Sequence, residues 1–143
     1  MRKTSPYSTG AQHDKMAWKT VLVSPLLYAM ALPLIFFDLC LELYHRISFP
    51  LLGIPLVHRW EYIRIDRHLL AFLPFILKVA CGYCGYANGL LQYAVRIAGD
   101  TETYFCPMKH ESGKGFHPPL HHQHFVQYGN ALSFQRRFNT SKR

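Results

Sequence analysis

The stretch VLVSPLLYAMALPLIFF, residues 21–37, decides the fold, because it carries no charge and its apolar character continues to Leu43. About 20 helical residues cross the hydrocarbon core of a bilayer, so the stretch predicts a membrane-contacting helix. Pro25 and Pro33 each weaken a straight helix. Basic residues flank both ends, so the charge distribution does not indicate a crossing. A helix that lies in the membrane face or re-enters is therefore favoured over a full span, and a buried core helix is the alternative.

The length and charge of the chain narrow the possible partners. Its 143 residues are typical of a single domain. It carries 16 Lys and Arg against 8 Asp and Glu, a formal charge of +8. Such a balance indicates an acidic partner, either anionic lipid headgroups or nucleic acid. The apolar stretch favours membrane lipids, and the sequence contains no nucleic-acid-binding pattern, so we expect no nucleic acid partner.

Composition divides the chain into four segments. We expect a flexible basic arm at residues 1–19, a membrane-associated helix at 20–47, a helical metal-binding core at 48–111, and a His-rich, basic tail at 112–143. The predicted fold class is mainly α, with one or two membrane-contacting helices and a small metal-stapled segment. Residues 59–66 alternate apolar and polar side chains, which predicts a short strand.

A second helix is predicted from about Lys78 to Ala98, with Gly99 at its end. Three glycines lie at helical spacing along it: Gly82, Gly85 and Gly89. Small residues on one helical face allow another backbone to approach closely. We therefore expect a neighbouring segment to pack against this face.

Two short motifs carry metal donors: Cys81-Gly-Tyr-Cys84 and Cys106-Pro-Met-Lys-His110. A tetrahedral structural site needs four donors, usually supplied as two short-spaced pairs from two chain segments. The sequence therefore predicts one metal site made of Cys81, Cys84, Cys106 and His110, a Cys₃His set typical of zinc. Iron is the alternative, either as a single ion or as an iron–sulfur cluster with one histidine ligand.

Other interpretations of these polar residues stay open. Free cysteines are often buried as small apolar side chains, which we expect for Cys40. A CxxC dithiol can perform redox exchange, although no thioredoxin-like pattern surrounds this one. Asp38 and Glu42 lie four residues apart on one helical face, where ion pairing is expected. A group of histidines can bind zinc, copper or nickel, or lie exposed in loops: His117, His121, His122 and His124.

The motifs of several large enzyme classes are missing from the sequence. It contains no GxxxxGK[ST] loop, no GxGxxG fingerprint, no GxSxG elbow and no HExxH pair. Four protein donors would also close the coordination sphere of the predicted metal and leave no position for a substrate. We therefore expect a protein that is not an enzyme.

Four pieces of the sequence resemble a family of small bacterial membrane-associated proteins that has no established activity. They are FPLLGIP at residues 49–55, EYIRIDRH at 61–68, CGYCGYANGL at 81–90 and TETYFCPMKH at 101–110. They cover about half of the chain. The resemblance places all four predicted metal ligands within family motifs of the form CxYCxYxNG and TExYxCPxKH.

These observations lead to a functional expectation. We expect a non-catalytic accessory or assembly subunit of a larger inner-membrane complex, such as an energy-converting one, with a structural metal site. The alternatives are a small membrane-bound iron electron carrier and a protein that handles copper or zinc through the histidines at residues 117–124. Four cysteines without an export signal indicate a reducing compartment. The expected location is the bacterial inner membrane, with the metal site on the cytoplasmic side.

Overall fold

The computed structural model describes residues 17–73 and 75–140, so residues 1–16 of the predicted basic arm lie outside the described residues. The described chain forms four α-helices: α1 (Ala17–Ala29), α2 (Ala31–Leu52), α3 (Phe75–Phe105) and α4 (Ala131–Thr140). Three short 3₁₀ turns connect them: Arg59–Glu61, Arg67–Leu69 and Leu120–His124. Within these ranges there is no strand, and the mainly α class is confirmed. The strand predicted at residues 59–66 is wrong.

Helices α1 and α2 follow each other almost without interruption and form the apolar N-terminal part of the fold. A single turn residue, Met30, separates them. Pro33 explains this break, because a proline ring clashes with the carbonyl four residues earlier, which here belongs to Ala29, the last residue of α1. Together the two helices provide one 31-residue segment, Leu22–Leu52, that is long and apolar enough to cross a membrane.

Helices α2 and α3 lie side by side and run in the same direction. Tyr28, in the last turn of α1, contacts Tyr83 in the first half of α3, and Tyr44 of α2 hydrogen-bonds Thr101 near the end of α3. Parallel neighbours require a long connection, and residues 54–73 supply it by returning along α3. The start of α3 therefore lies beside α1 at one end of the molecule. This end exposes large apolar side chains from both parts of the chain: Leu22, Leu26, Leu69, Phe72 and Phe75.

The glycine face of α3 is where the returning segment packs, as the sequence predicts. A Cβ atom added to Gly89 would lie 2.6 Å from the Tyr62 carbonyl oxygen, and one added to Gly85 would lie 2.9 Å from the Arg64 carbonyl oxygen. Those distances are shorter than van der Waals contact, so only glycine fits at both positions. At Gly82 the nearest atom would be 3.7 Å away, which is ordinary contact. The close backbone approach is therefore confirmed, with Gly89 and Gly85 as the residues that require it.

A small core lies between α2 and α3. Its fully buried residues are Phe49, Leu90, Tyr93 and Ile97. The polar residues of α2 border this core rather than the outer apolar face. Asp38 forms a two-pronged ion pair with Arg59 of the returning segment, and the Tyr86 hydroxyl donates a 2.7 Å hydrogen bond to the same carboxylate. Ion pairing of Asp38 and Glu42 is therefore confirmed, since Glu42 binds Arg46 at 2.6 Å.

His45 belongs to the same polar network, and its contacts define where its proton lies. The Val57 backbone N–H donates to His45 Nε2 at 3.0 Å, so this nitrogen is an acceptor. The proton of the neutral ring is therefore on Nδ1, which lies 2.9 Å from the Tyr93 hydroxyl. Tyr93 in turn donates to Glu42 at 3.2 Å. Every polar group in this chain of hydrogen bonds has a partner within the protein, which is what burial beside an apolar helix requires.

Candidate metal centre

The four predicted metal ligands do not come together. Cys81 and Cys84 lie on adjacent turns in the first half of α3, whereas Cys106 and His110 follow its last residue, Phe105. The helix is continuous over 31 residues. At about 1.5 Å per residue, roughly 33 Å separates Cys84 from Cys106 along the axis. One ion cannot span that distance, so the structure corrects the predicted Cys₃His site.

The two motifs could form one site only if the chain between them turned back. Gly99 was expected to end the helix, but α3 continues through it to Phe105. Cys81 is half-buried, and the other three cysteines are exposed. The prediction that Cys40 is buried is therefore wrong. The identity of any metal, zinc or iron, stays a prediction.

A different group of residues does converge on one point. Glu102, His121 and His122 each offer a ligand atom, and these atoms all lie within 4.8 Å of one another. His121 Nε2 is 2.8 Å from one Glu102 oxygen, and His122 Nε2 is 3.1 Å from both. We call these three residues the Glu–His cluster. Among the residues that the structure describes, it is the one group with this arrangement.

The chain builds the cluster from the end of α3 and a short turn that folds back onto it. Glu102 lies in the last turn of α3, and the 3₁₀ turn Leu120–His124 carries the two histidines. The segment between them is anchored by backbone hydrogen bonds: Lys109 N–H to the Val126 carbonyl at 2.8 Å, and Val126 N–H to the Pro107 carbonyl at 2.9 Å. These bonds hold the turn against the helix end.

Gly99 makes room for one of the histidines. A Cβ atom at this position would lie 3.0 Å from His121 Nδ1 and 3.1 Å from its Cγ. The imidazole ring therefore lies directly against the backbone of α3, one turn before Glu102. The residue predicted to end the helix instead allows the cluster to form.

His110 is close enough to take part in the same centre. Its Nε2 lies 3.8 Å from a Glu102 oxygen, and its ring centroid is 5.3 Å from that of His122. The side chain is 64% exposed, so it can rotate without disturbing the packing. Of the four predicted ligands, His110 is thus the one that the structure places beside the cluster. His117 and His124 are exposed and lie outside the cluster.

The residues of the cluster differ in how deeply they are buried and in how many of their polar atoms have hydrogen-bond partners. His122 is 2% exposed and stacks on Phe125, with ring centroids 4.8 Å apart. Its Nδ1 is buried and has no hydrogen-bond partner among the described residues. Burial raises the pKa of the Glu102 carboxyl, but the hydrogen bonds from His121 and His122 act against it and leave that pKa below its usual value. Glu102 is therefore an anion at neutral pH.

The donor set of the cluster defines its possible chemistry. Two imidazoles and one carboxylate occur at catalytic zinc sites and at non-haem iron(II) sites, where further positions stay open. Neither type uses thiolate, so none of the four cysteines is needed. The sequence suggests His121 and His122 as possible ligands but does not indicate Glu102. Its only signal is a carboxylate within the TETYFCPMKH segment, and spacing alone cannot connect it to histidines about twenty residues later.

Comparison with known proteins provides no relative: no protein-family model, no curated protein and no solved structure matches this chain.

Proposed function

We propose that this protein is a membrane-associated metal-binding protein that handles a divalent transition metal, with zinc as the first candidate. The Glu–His cluster would hold the ion, and His110 would be a fourth ligand. The observation that carries this proposal is the convergence of two imidazole nitrogens on one carboxylate, within 3.1 Å. It keeps the metal-handling role predicted for the histidines and replaces the predicted cysteine site.

The distances suit a zinc ion. Zinc–nitrogen bonds of about 2.0–2.1 Å in a tetrahedron place the donor atoms about 3.3 Å apart. Each imidazole nitrogen lies 2.8–3.1 Å from a Glu102 oxygen, all three donor atoms lie within 4.8 Å of one another, and His110 Nε2 approaches Glu102 to 3.8 Å. The two separations between Glu102 and the imidazole nitrogens would therefore lengthen by up to about half an ångström to admit the ion. The Glu102 carboxylate is ionised at neutral pH, as a metal ligand must be.

The exposure of His110 favours a role in accepting and releasing a metal ion over a purely structural metal site. Structural zinc sites are closed by four well-held protein ligands. Here three ligands belong to ordered elements, whereas the fourth extends into solvent. An exchangeable fourth position allows a metal to be accepted from, or passed to, another molecule. The apolar Leu22–Leu52 segment supports placement at a membrane, and we keep the bacterial inner membrane, with the metal centre on the cytoplasmic side, as part of the proposal.

Metal analysis of the full-length protein, purified without chelators, tests this proposal. We expect about one zinc per chain by mass spectrometry, and loss of that zinc in a His121→Ala, His122→Ala double variant. The matched control is Cys81→Ser, Cys84→Ser, which should keep the metal because these thiols lie far from the cluster. The opposite pattern, with zinc lost only in the cysteine variant, would refute the Glu–His site.

A second candidate function is the predicted one, an accessory subunit of a larger membrane complex. It is favoured by exposed apolar side chains outside the long membrane segment: Leu69 at 73%, Phe72 at 79% and Phe75 at 82%. A patch of this kind needs lipid or a partner protein to cover it. Native electrophoresis of gently solubilised membranes distinguishes an accessory subunit from a separate metal-handling protein, because a subunit migrates with a complex far larger than the 16.6 kDa chain.

A further inference from the structure

A short apolar stretch leads from the 3₁₀ turn Arg67–Leu69 into the first turn of α3, at the end of α3 opposite the Glu–His cluster. We call residues 69–77 the apolar connector, and none of them is charged. Its exposed large side chains are Leu69, Leu70, Phe72, Phe75 and Leu77. An exposed apolar surface of this kind marks a site that lipid or another protein covers.

The apolar connector lies beside the part of the chain that we propose for the membrane. Tyr28 of α1 contacts Tyr83 of α3, with ring centroids 5.6 Å apart. Because α2 and α3 run in the same direction, α1 and the start of α3 both extend from this contact towards the same end of the molecule. Leu22 and Leu26 of α1 are exposed there as well. The connector therefore continues the apolar surface of the Leu22–Leu52 segment with a second, separate stretch of chain.

Basic residues flank the apolar connector on both sides. Arg64 and Arg67 precede it and Lys78 follows it, and Asp66 is the one carboxylate in this stretch. Both arginines are exposed, and neither forms an ion pair with any residue that the structure describes. Lys78 comes three residues after Phe75, about 4.5 Å along the helix axis, which its long side chain can bridge. Cations around an apolar surface are complementary to acyl chains beneath anionic headgroups, so lipid is favoured over a protein partner.

We infer that the apolar connector inserts into a bilayer that carries anionic lipid, with its apolar side chains among the acyl chains and the three flanking cations at the phosphate groups. This inference rests on the membrane placement in the proposed function and adds a second insertion point to the Leu22–Leu52 segment. Interfacial segments bury their apolar side chains about 5–10 Å into the boundary between headgroups and acyl chains. Glu102 lies about 40 Å from Phe75 along α3, so insertion at the connector holds the Glu–His cluster away from the bilayer.

Quenching of tryptophan fluorescence by brominated lipid measures where the apolar connector lies. The full-length protein is reconstituted into vesicles of phosphatidylcholine and phosphatidylglycerol with brominated acyl chains, and its two native tryptophans are replaced by Trp18→Phe and Trp60→Phe. Phe72→Trp then places a single fluorophore in the connector. Phe36→Trp, at an exposed position of α2, reports on the membrane segment. The matched control is Leu120→Trp, at an equally exposed apolar position in the turn that carries the cluster histidines.

We expect quenching at position 72 to be at least about half of that at position 36, and at least about three times that at position 120. Arg64→Gln combined with Arg67→Gln should lower the quenching at position 72 at least about twofold, because the anionic surface then attracts the connector less. Lys109→Gln combined with Lys114→Gln removes the same charge near the cluster and should leave that quenching unchanged.

Strong quenching at position 36 with little at position 72 would overturn the inference and assign the connector to a protein partner. Quenching at position 120 as strong as at position 72 would also overturn it, as would equal responses of the arginine and lysine double variants. Little quenching at both positions 36 and 72 would instead contradict the membrane placement in the proposed function, so the two failures are distinguishable.

Discussion

Two groups of carboxylate and histidine side chains in this protein differ in how many of their polar atoms have hydrogen-bond partners. In the network between α2 and α3, Asp38, Glu42 and His45 find their partners in two arginines, two tyrosines and a backbone N–H. In the Glu–His cluster the histidines contact only one carboxylate, and a buried nitrogen of His122 has no partner among the described residues. The first group holds the helices together, whereas the second is the group that we propose as the metal site.

The largest expected effect separates the two groups directly. Glu102→Gln should weaken zinc binding at least about 100-fold, because it removes the anionic ligand on which both histidines converge. Asp38→Asn, in the α2–α3 network, should leave zinc affinity within about threefold. Isothermal titration with zinc measures both. Equal losses in the two variants would mean that the cluster is not a separate site.

The glycine face of α3 should respond strongly at one position and hardly at another. Gly89→Ala should destabilise the fold by about 2–3 kcal/mol, since the new methyl group would lie 2.6 Å from the Tyr62 carbonyl oxygen. Gly82→Ala has space and should be neutral or stabilising by up to about 1 kcal/mol, because alanine favours helix. Denaturant unfolding followed by circular dichroism compares them, and equal effects would contradict the close backbone packing.

The ion pair between Asp38 and Arg59 should have a moderate effect on stability. Arg59→Ala leaves the Asp38 carboxylate beside an apolar core with only the Tyr86 hydroxyl as partner. We expect a loss of about 1–2 kcal/mol, below the value for fully buried pairs, because the Arg59 side chain is 35% exposed and water screens the interaction. Unfolding in denaturant measures it. Zinc affinity should not change, and a clear loss of zinc would connect two groups that we treat as independent.

The smallest expected effect concerns Gly99. Gly99→Ala should lower zinc affinity about fivefold, because the added methyl group would lie 3.0–3.2 Å from atoms of the His121 ring and displace it by a few tenths of an ångström. Global stability should change little, since the ring can shift and alanine suits a helix. Zinc titration and unfolding on the same variant separate these effects. An unchanged zinc affinity would remove His121 from the ligand set.

The sequence predicted the α-helical class, the apolar N-terminal segment and the close packing at the glycine face. These succeed because they depend on local pattern: apolar length, proline positions and the spacing of small residues along one helix. The four predicted metal ligands do not share one site, and of them His110 lies beside the Glu–His cluster, where its role stays a proposal. Two short-spaced ligand pairs form one metal site only if the chain between them turns back, and here residues 85–105 between the pairs continue as one helix.

The sequence by itself determined that residues 21–37 form an uncharged, apolar segment, and the structure showed that most of its large side chains are exposed. Only the tertiary structure decided which polar residues meet. Glu102 and His121 are nineteen residues apart, and their contact depends on the 3₁₀ turn at Leu120–His124 folding back onto the end of α3. Physically, periodicity specifies which face of a helix is apolar, but the meeting of distant side chains depends on long-range packing that no local pattern contains.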